Sequence, residues 1–252
     1  MVTAAQVKEL RERTNVGMLA CKKALEEAGG DMDQAIELLR KRGEAKAASK
    51  GERETNEGGV AVTGRSMVKV LCETDFVARN EAFIEFIQEI ADKADAEGVD
   101  TAKAHFESVK SDKMQAIGEN LVLAGIETID GGDTVGGYVH TNRKVATIVV
   151  TNGGSEDKAK DVAMHVTAMN PLVAKESEVN QELIEKEMEI AKVQLLEEGK
   201  PEQIIGKILD GKRAKFKKEN AAESQPFVKD PSMSVAEYLG NGQLVAFLRM
   251  EV

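Results

Sequence analysis

The sequence has no tryptophan, aromatic residues make up only 4% of it, and its 252 residues include two cysteines and four prolines. Cys21 and Cys72 stand far apart, with no CxxC spacing and no cysteine–histidine cluster beside either. That excludes a zinc site and suits a reducing compartment, with both thiols expected to be buried as small hydrophobes. No stretch approaches the roughly 18 apolar residues of a membrane span. The start, MVTAAQVKELRERT, is amphipathic and lacks an apolar core of signal-peptide length, so a cytoplasmic protein with no membrane partner is expected. Positive charge is short as well: 34 Lys and Arg face 44 Asp and Glu, a net charge of -10. No uniform basic field is available to attract a phosphate backbone, and nucleic acid is not an expected partner. Glycine-rich phosphate loops, His-Glu-x-x-His and nucleophile elbows are all missing. The chain thus shows no nucleotide site, no metal site and no catalytic constellation; no cofactor and no enzyme are expected. With aromatics this scarce, each exposed phenylalanine carries weight.

What is present suits a folded α+β protein, 42% hydrophobic and 31% charged. Residues 1–42 form three short helices. A capping box, Thr3 with Gln6, opens the first, whose apolar face holds Val7 and Leu10. The turn Asn15-Val16-Gly17 leads to Met18, Leu19 and CKKALEEA, stopped by Gly29-Gly30. Asp31 with Gln34 opens the third, with Ala35, Ile36, Leu38 and Leu39 inward and a basic LRKRG end. Residues 43–58, rich in small and charged side chains, are expected to be a linker.

Beyond the linker the chain repeats itself. GGVAVTGRSMVKVLCETDF laid over GGYVHTNRKVATIVVTNGG pairs Thr63 with Thr141 and Arg65 with Arg143, both at a separation of 78. Each copy reads as a hairpin, a helix (AFIEFIQEIADKA or EDKAKDVAMHVTAM) and a later strand near Leu121 or Leu244. The copies occupy 59–130, and 131–178 with 223–252. Residues 179–222 interrupt the second: Ile184, Met188, Ala191 and Leu195, then Ile205, Leu209 and Phe216, predict an antiparallel helical hairpin turned at Gly199 and Pro201.

The segments KELRERTNVGMLACKKALEEAGGDMDQAIELLRKRG, ETDFVARNEAF, AMNP and QPFVKDPSMSV, in this order, resemble the signature segments of the bacterial elongation factor Ts family. The resemblance implies an N-terminal domain of ubiquitin-associated type, two related α/β subdomains with three-stranded antiparallel sheets, and a protruding helical hairpin. It also implies guanine-nucleotide exchange on elongation factor Tu, in GDP-bound and nucleotide-free states, with displacement of Mg²⁺. A homodimer is left open. Ending at Val252, the sequence is expected to lack the further C-terminal helical module of some members.

Four residues, Thr74, Asp75, Phe76 and Val77, carry the implied contact at the GTPase metal site. By themselves a Thr or Asp there is a cap and a Phe a staple into the core. At the same separation of 78, however, Asp75 and Phe76 fall on Gly153 and Gly154. If the fold required a buried aromatic, its twin should want one too, so Phe76 is expected to project. The resemblance adds His140 and, at the N-terminal module, Met18 and Leu19. His165 falls on Ile87 and is expected to be packed, and His105 carries no assignment. The run Lys212, Arg213, Lys215, Lys217, Lys218 suits the helix dipole and solvent better than RNA. Two other classes stay open on residues alone: an interaction protein acting through residues 1–42, and an enzyme pairing Asp75 with His140.

Overall fold

A computed structural model of the chain describes residues 2–14, 16, 18–50 and 53–252, without the side chains of 42–50. Two compact units emerge, residues 1–61 with 68–126 and 252, and residues 62–67 with 127–251.

The first unit opens with α1 (Ala4–Thr14), α2 (Met18–Glu27) and α3 (Met32–Lys50). Thr3 N–H donates to Gln6 Oε1 at 3.0 Å and Gln6 N–H to Thr3 Oγ1 at 3.3 Å, forming the capping box. Asp31 Oδ1 caps α3 through the N–H of Gln34 at 2.9 Å. Val7, Leu10, Cys21, Ala24, Leu25, Ala35 and Leu39 make the shared core, with Ile36 and Leu38 packed on it. Asn15 and Gly17 of the expected turn lie outside the described residues. One expectation needs correcting: α3 does not stop at the basic LRKRG but continues to Lys50. The stretch EAKAASK is short of apolar residues yet consists largely of good helix formers, so its polarity does not preclude a helix.

Next come β1 (Glu57–Thr63), β2 (Ser66–Cys72), the single turn α4 (Asp75–Ala78), α5 (Glu81–Glu97), α6 (Val99–Ile117) and β3 (Val122–Thr128). The strands form a three-stranded sheet in the order β1-β2-β3. Val68, Val70 and Cys72 of β2 bury against Phe83, Phe86, Ile87 and Ile90 of α5 and Phe106 of α6. Phe86 and Phe106 stack at 5.5 Å.

In the second unit β4 (Thr134–Val139), β5 (Val145–Asn152), α7 (Glu156–Met169) and, at the chain's end, β8 (Gln243–Glu251) repeat that order, the sheet running β4-β5-β8. Both strand pairings are antiparallel. Between α7 and β8 lie α8 (Gln181–Glu197) and α9 (Glu202–Asn220), then a short hairpin of β6 (Pro226–Phe227) and β7 (Asp230–Ser234), then α10 (Val235–Leu239). Ile184, Met188, Ala191, Leu195 and Ile205 are buried between α8 and α9 as the 4-3-4 spacing demands. The β6–β7 hairpin carries too few residues to show a period, and sequence reading missed it.

The duplication stands, but its register shifts. The left-handed residue of the turn is Gly64 (φ 52) in the first copy and Arg143 (φ 57) in the second. Arg65 therefore does not match Arg143; the separation of β2 from β5 is 79, one more than the paired identities suggest. Only that register puts Thr147 and Val149, which meet α7 through Thr167 and the second core, on the positions of Val68 and Val70. A slip by one residue would have turned each strand over. Two coincident identities outweighed the alternation that fixes the face.

Candidate functional site

The corrected register isolates the segment after β2. Eleven residue steps separate Cys72 from Phe83, the last and first core positions of β2 and α5, while eight separate Thr151 from Ala159 in the second copy. The second copy crosses from strand to helix through Gly153 (φ 73), Gly154 (φ 90) and the cap Ser155. The first uses its extra length to build α4. Phe76 accordingly has no counterpart in the second copy, neither Gly154 nor any other residue, because it belongs to a turn that exists once.

Thr74 caps this turn, its Oγ1 accepting the N–H of Val77 at 3.4 Å. Its hydroxyl also donates to Glu119 Oε1 at 2.5 Å, and its N–H to Glu119 Oε2 at 3.0 Å. Val77 packs inward on the first core and Ala78 is buried. Between them Asp75 pairs with Arg79 on the surface at 3.2 Å, and Phe76 is 82% exposed, more than any other large hydrophobic side chain among the described residues. Of the four signalled residues, then, Thr74 and Val77 hold the turn down and Asp75 and Phe76 are presented.

His140 follows β4 in the second unit and is exposed. Its N–H closes the hairpin on Val145 O at 2.9 Å, and Nδ1 accepts the N–H of Asn142 at 3.4 Å, so the ring is oriented by its own turn. Met18 and Leu19 begin α2 with 46% and 68% exposure. With Val2 and Val7 they line a shallow apolar groove of about 490 Å³. His165 is buried; Ile87, its partner at a separation of 78, gives way to a register of 76 in the helices, where Phe83, Phe86 and Ile87 match Ala159, Val162 and Ala163.

The family model for elongation factor TS matches residues 73–252. A protein described as elongation factor Ts from Teredinibacter turnerae is 44% identical over 265 residues, covering 100% of this chain and 90% of the relative. Relatives of the same description from Marinobacter nauticus, 44% identical with 100% and 91% covered, and from Deinococcus deserti, 45% identical with 98% of each covered, agree. The chain belongs to the elongation factor Ts family. Membership brings a nucleotide-exchange role in translation elongation.

Within this chain, sequence reasoning missed Glu119, which has no signature of its own and meets the TDFV segment from 45 residues away. Glu73, just before that segment, was missed too; its Oε1 accepts the N–H of Asn120 at 2.7 Å. At the basic end of α9, Lys212, Lys215 and Lys218 are exposed, with Lys215 paired to Glu219 at 3.5 Å, while Arg213 and Lys217 are half-buried. Among the described residues no three His, Cys, Asp or Glu side chains group as metal ligands, and no helix is long and apolar enough to cross a membrane.

Proposed function

We propose that this chain binds elongation factor Tu carrying GDP, and that the α4 turn enters the GTPase beside its Mg²⁺, dislodging the metal and promoting GDP release. The observation that carries this reading is the presentation of Phe76: a large aromatic held 82% exposed on a capped turn that the fold does not need for its second copy. GDP is gripped by backbone N–H groups around its phosphates and by a metal that demands near-octahedral geometry, so small displacements there are costly. Burying Phe76 in the partner supplies about 1.5–3 kcal/mol toward such a displacement. Arg79, 3.2 Å from Asp75, tempers that carboxylate's charge. This favours a short-range role for Asp75 as hydrogen-bond acceptor from the displaced segment over a long-range field.

Residues 1–42 are proposed as a separate docking module through Met18 and Leu19, and His140 as a third contact near the phosphate loop. Residues 179–222 form a helical insert in the second core subdomain. Release of a fluorescent GDP analogue from elongation factor Tu tests the function: addition of this protein accelerates it. Release at the intrinsic rate at all protein concentrations refutes the reading.

A further inference from the structure

The base of the α4 turn is held by two acidic side chains that reach across in opposite directions. Glu119 follows Gly118, the left-handed cap of α6 (φ 95), and is half-buried just before β3. Its Oε2 accepts the N–H groups of Glu73 at 2.9 Å and Thr74 at 3.0 Å, and its Oε1 the Thr74 hydroxyl at 2.5 Å. In return Glu73 Oε1 takes the N–H of Asn120 at 2.7 Å. The amide of Asn120 donates to Arg53 O at 2.9 Å, and the Arg53 guanidinium lies 3.4 Å from Glu73 Oε2. The end of β2 and the start of β3 are thereby clasped together at the foot of the turn.

We infer that Glu119 is a positioning residue for exchange, acting through Phe76, an inference that rests on the function proposed above. A four-residue helix has too few hydrogen bonds to persist by itself. Its cap is Thr74, and the side chain that fixes Thr74 is Glu119. Three donors demand acceptors there, and the two oxygens of a carboxylate can take all three. Glutamate meets the demand. A turn ordered beforehand loses less conformational freedom when it docks, so its aromatic delivers more of its burial energy to the partner. Glutamine keeps one oxygen for the two backbone N–H groups, while its amide can donate to the Thr74 hydroxyl; alanine leaves both N–H groups without this acceptor.

The test is a double-mutant cycle on the full chain, reading acceleration of fluorescent-GDP release from elongation factor Tu for wild type, Glu119→Ala, Phe76→Ala and the double variant. Glu119→Ala is expected to lower acceleration at least about tenfold alone, but by a markedly smaller factor when Phe76 is already alanine and only Asp75 is left to present. Glu119→Gln is expected to stay within about threefold of wild type. If the alanine variant does not fold, Glu119→Asp, whose oxygens fall one methylene short, takes its place with the same expected pattern. Equal losses in both Phe76 backgrounds, or acceleration by Glu119→Ala at the wild-type rate, overturn the inference while leaving the exchange function intact. If wild type itself fails to accelerate release, the function falls and this inference with it.

Discussion

His165 is held by both ring nitrogens. Nε2 lies 2.9 Å from Gln225 Oε1, and Nδ1 accepts the N–H of Val228 at 3.1 Å. Gln225 is itself oriented, its Nε2 donating to Glu219 O at 2.6 Å, so a neutral ring with its proton on Nε2 satisfies every partner. A second proton on Nδ1 would face the Val228 N–H. Burial pushes the His165 pKa below its ordinary 6.5, and the Gln225 hydrogen bond only partly opposes this. The unfolded chain therefore takes up the proton first as pH falls. Its contribution to stability is complete above about 6.5 and is lost progressively below that. Urea unfolding from about pH 7.5 to about pH 6, above the carboxylate range, should show wild type weakening with acidity. His165→Phe should flatten that slope while lowering stability at the upper pH by about 1–3 kcal/mol through lost hydrogen bonds. An equally steep slope in the variant would assign the titration to another group.

At the scale of elements, the second copy depends on how closely α7 lies on β4. A Cβ on Gly136 would come within 2.2 Å of the Ala159 carbonyl carbon and the Lys160 nitrogen, both backbone atoms that cannot swing aside. Gly136→Ala should destabilise by at least about 1–3 kcal/mol, visible as a lower urea midpoint; an unchanged midpoint would mean the helix can slide. Nothing in GGYVH distinguishes this glycine, whose need arises from a helix some twenty residues on. The same contrast runs through the fold. The Thr3–Gln6 box, the 4-3-4 stripe of α8 and the strand-helix-strand repeat were legible because their physics is local or periodic. Arg143 could not be recognised as the left-handed residue of its turn, since that conformation ordinarily selects glycine or asparagine. Nor could Glu119, whose partners are set by where β3 meets β2 and not by any spacing. At the site, the segment Thr74 to Val77 was legible through resemblance. Its division into two anchoring and two presented residues follows from the cap and the core packing of Val77, which only the folded chain displays.

For the molecule as a whole, exchange is a statement about mutual weakening. On the function proposed above, a protein that promotes GDP release must bind the empty GTPase better than the GDP-bound one. Linkage makes the two effects equal: the factor by which this chain lowers GDP affinity is the factor by which GDP lowers the affinity of this chain. Calorimetric titration of nucleotide-free and GDP-loaded elongation factor Tu should return that same ratio from both directions, and a chain binding both forms equally would not be an exchange factor. Whether the ratio is generated by the α4 turn is decided by stopped-flow release of fluorescent GDP with wild type, Phe76→Ala and Asp75→Ala at matched concentrations. Wild type should accelerate release strongly, and Phe76→Ala should forfeit roughly ten- to a hundredfold of it, the equivalent of the aromatic's burial, with Asp75→Ala impaired as well. Phe76→Ala as fast as wild type would contradict the role assigned to the turn.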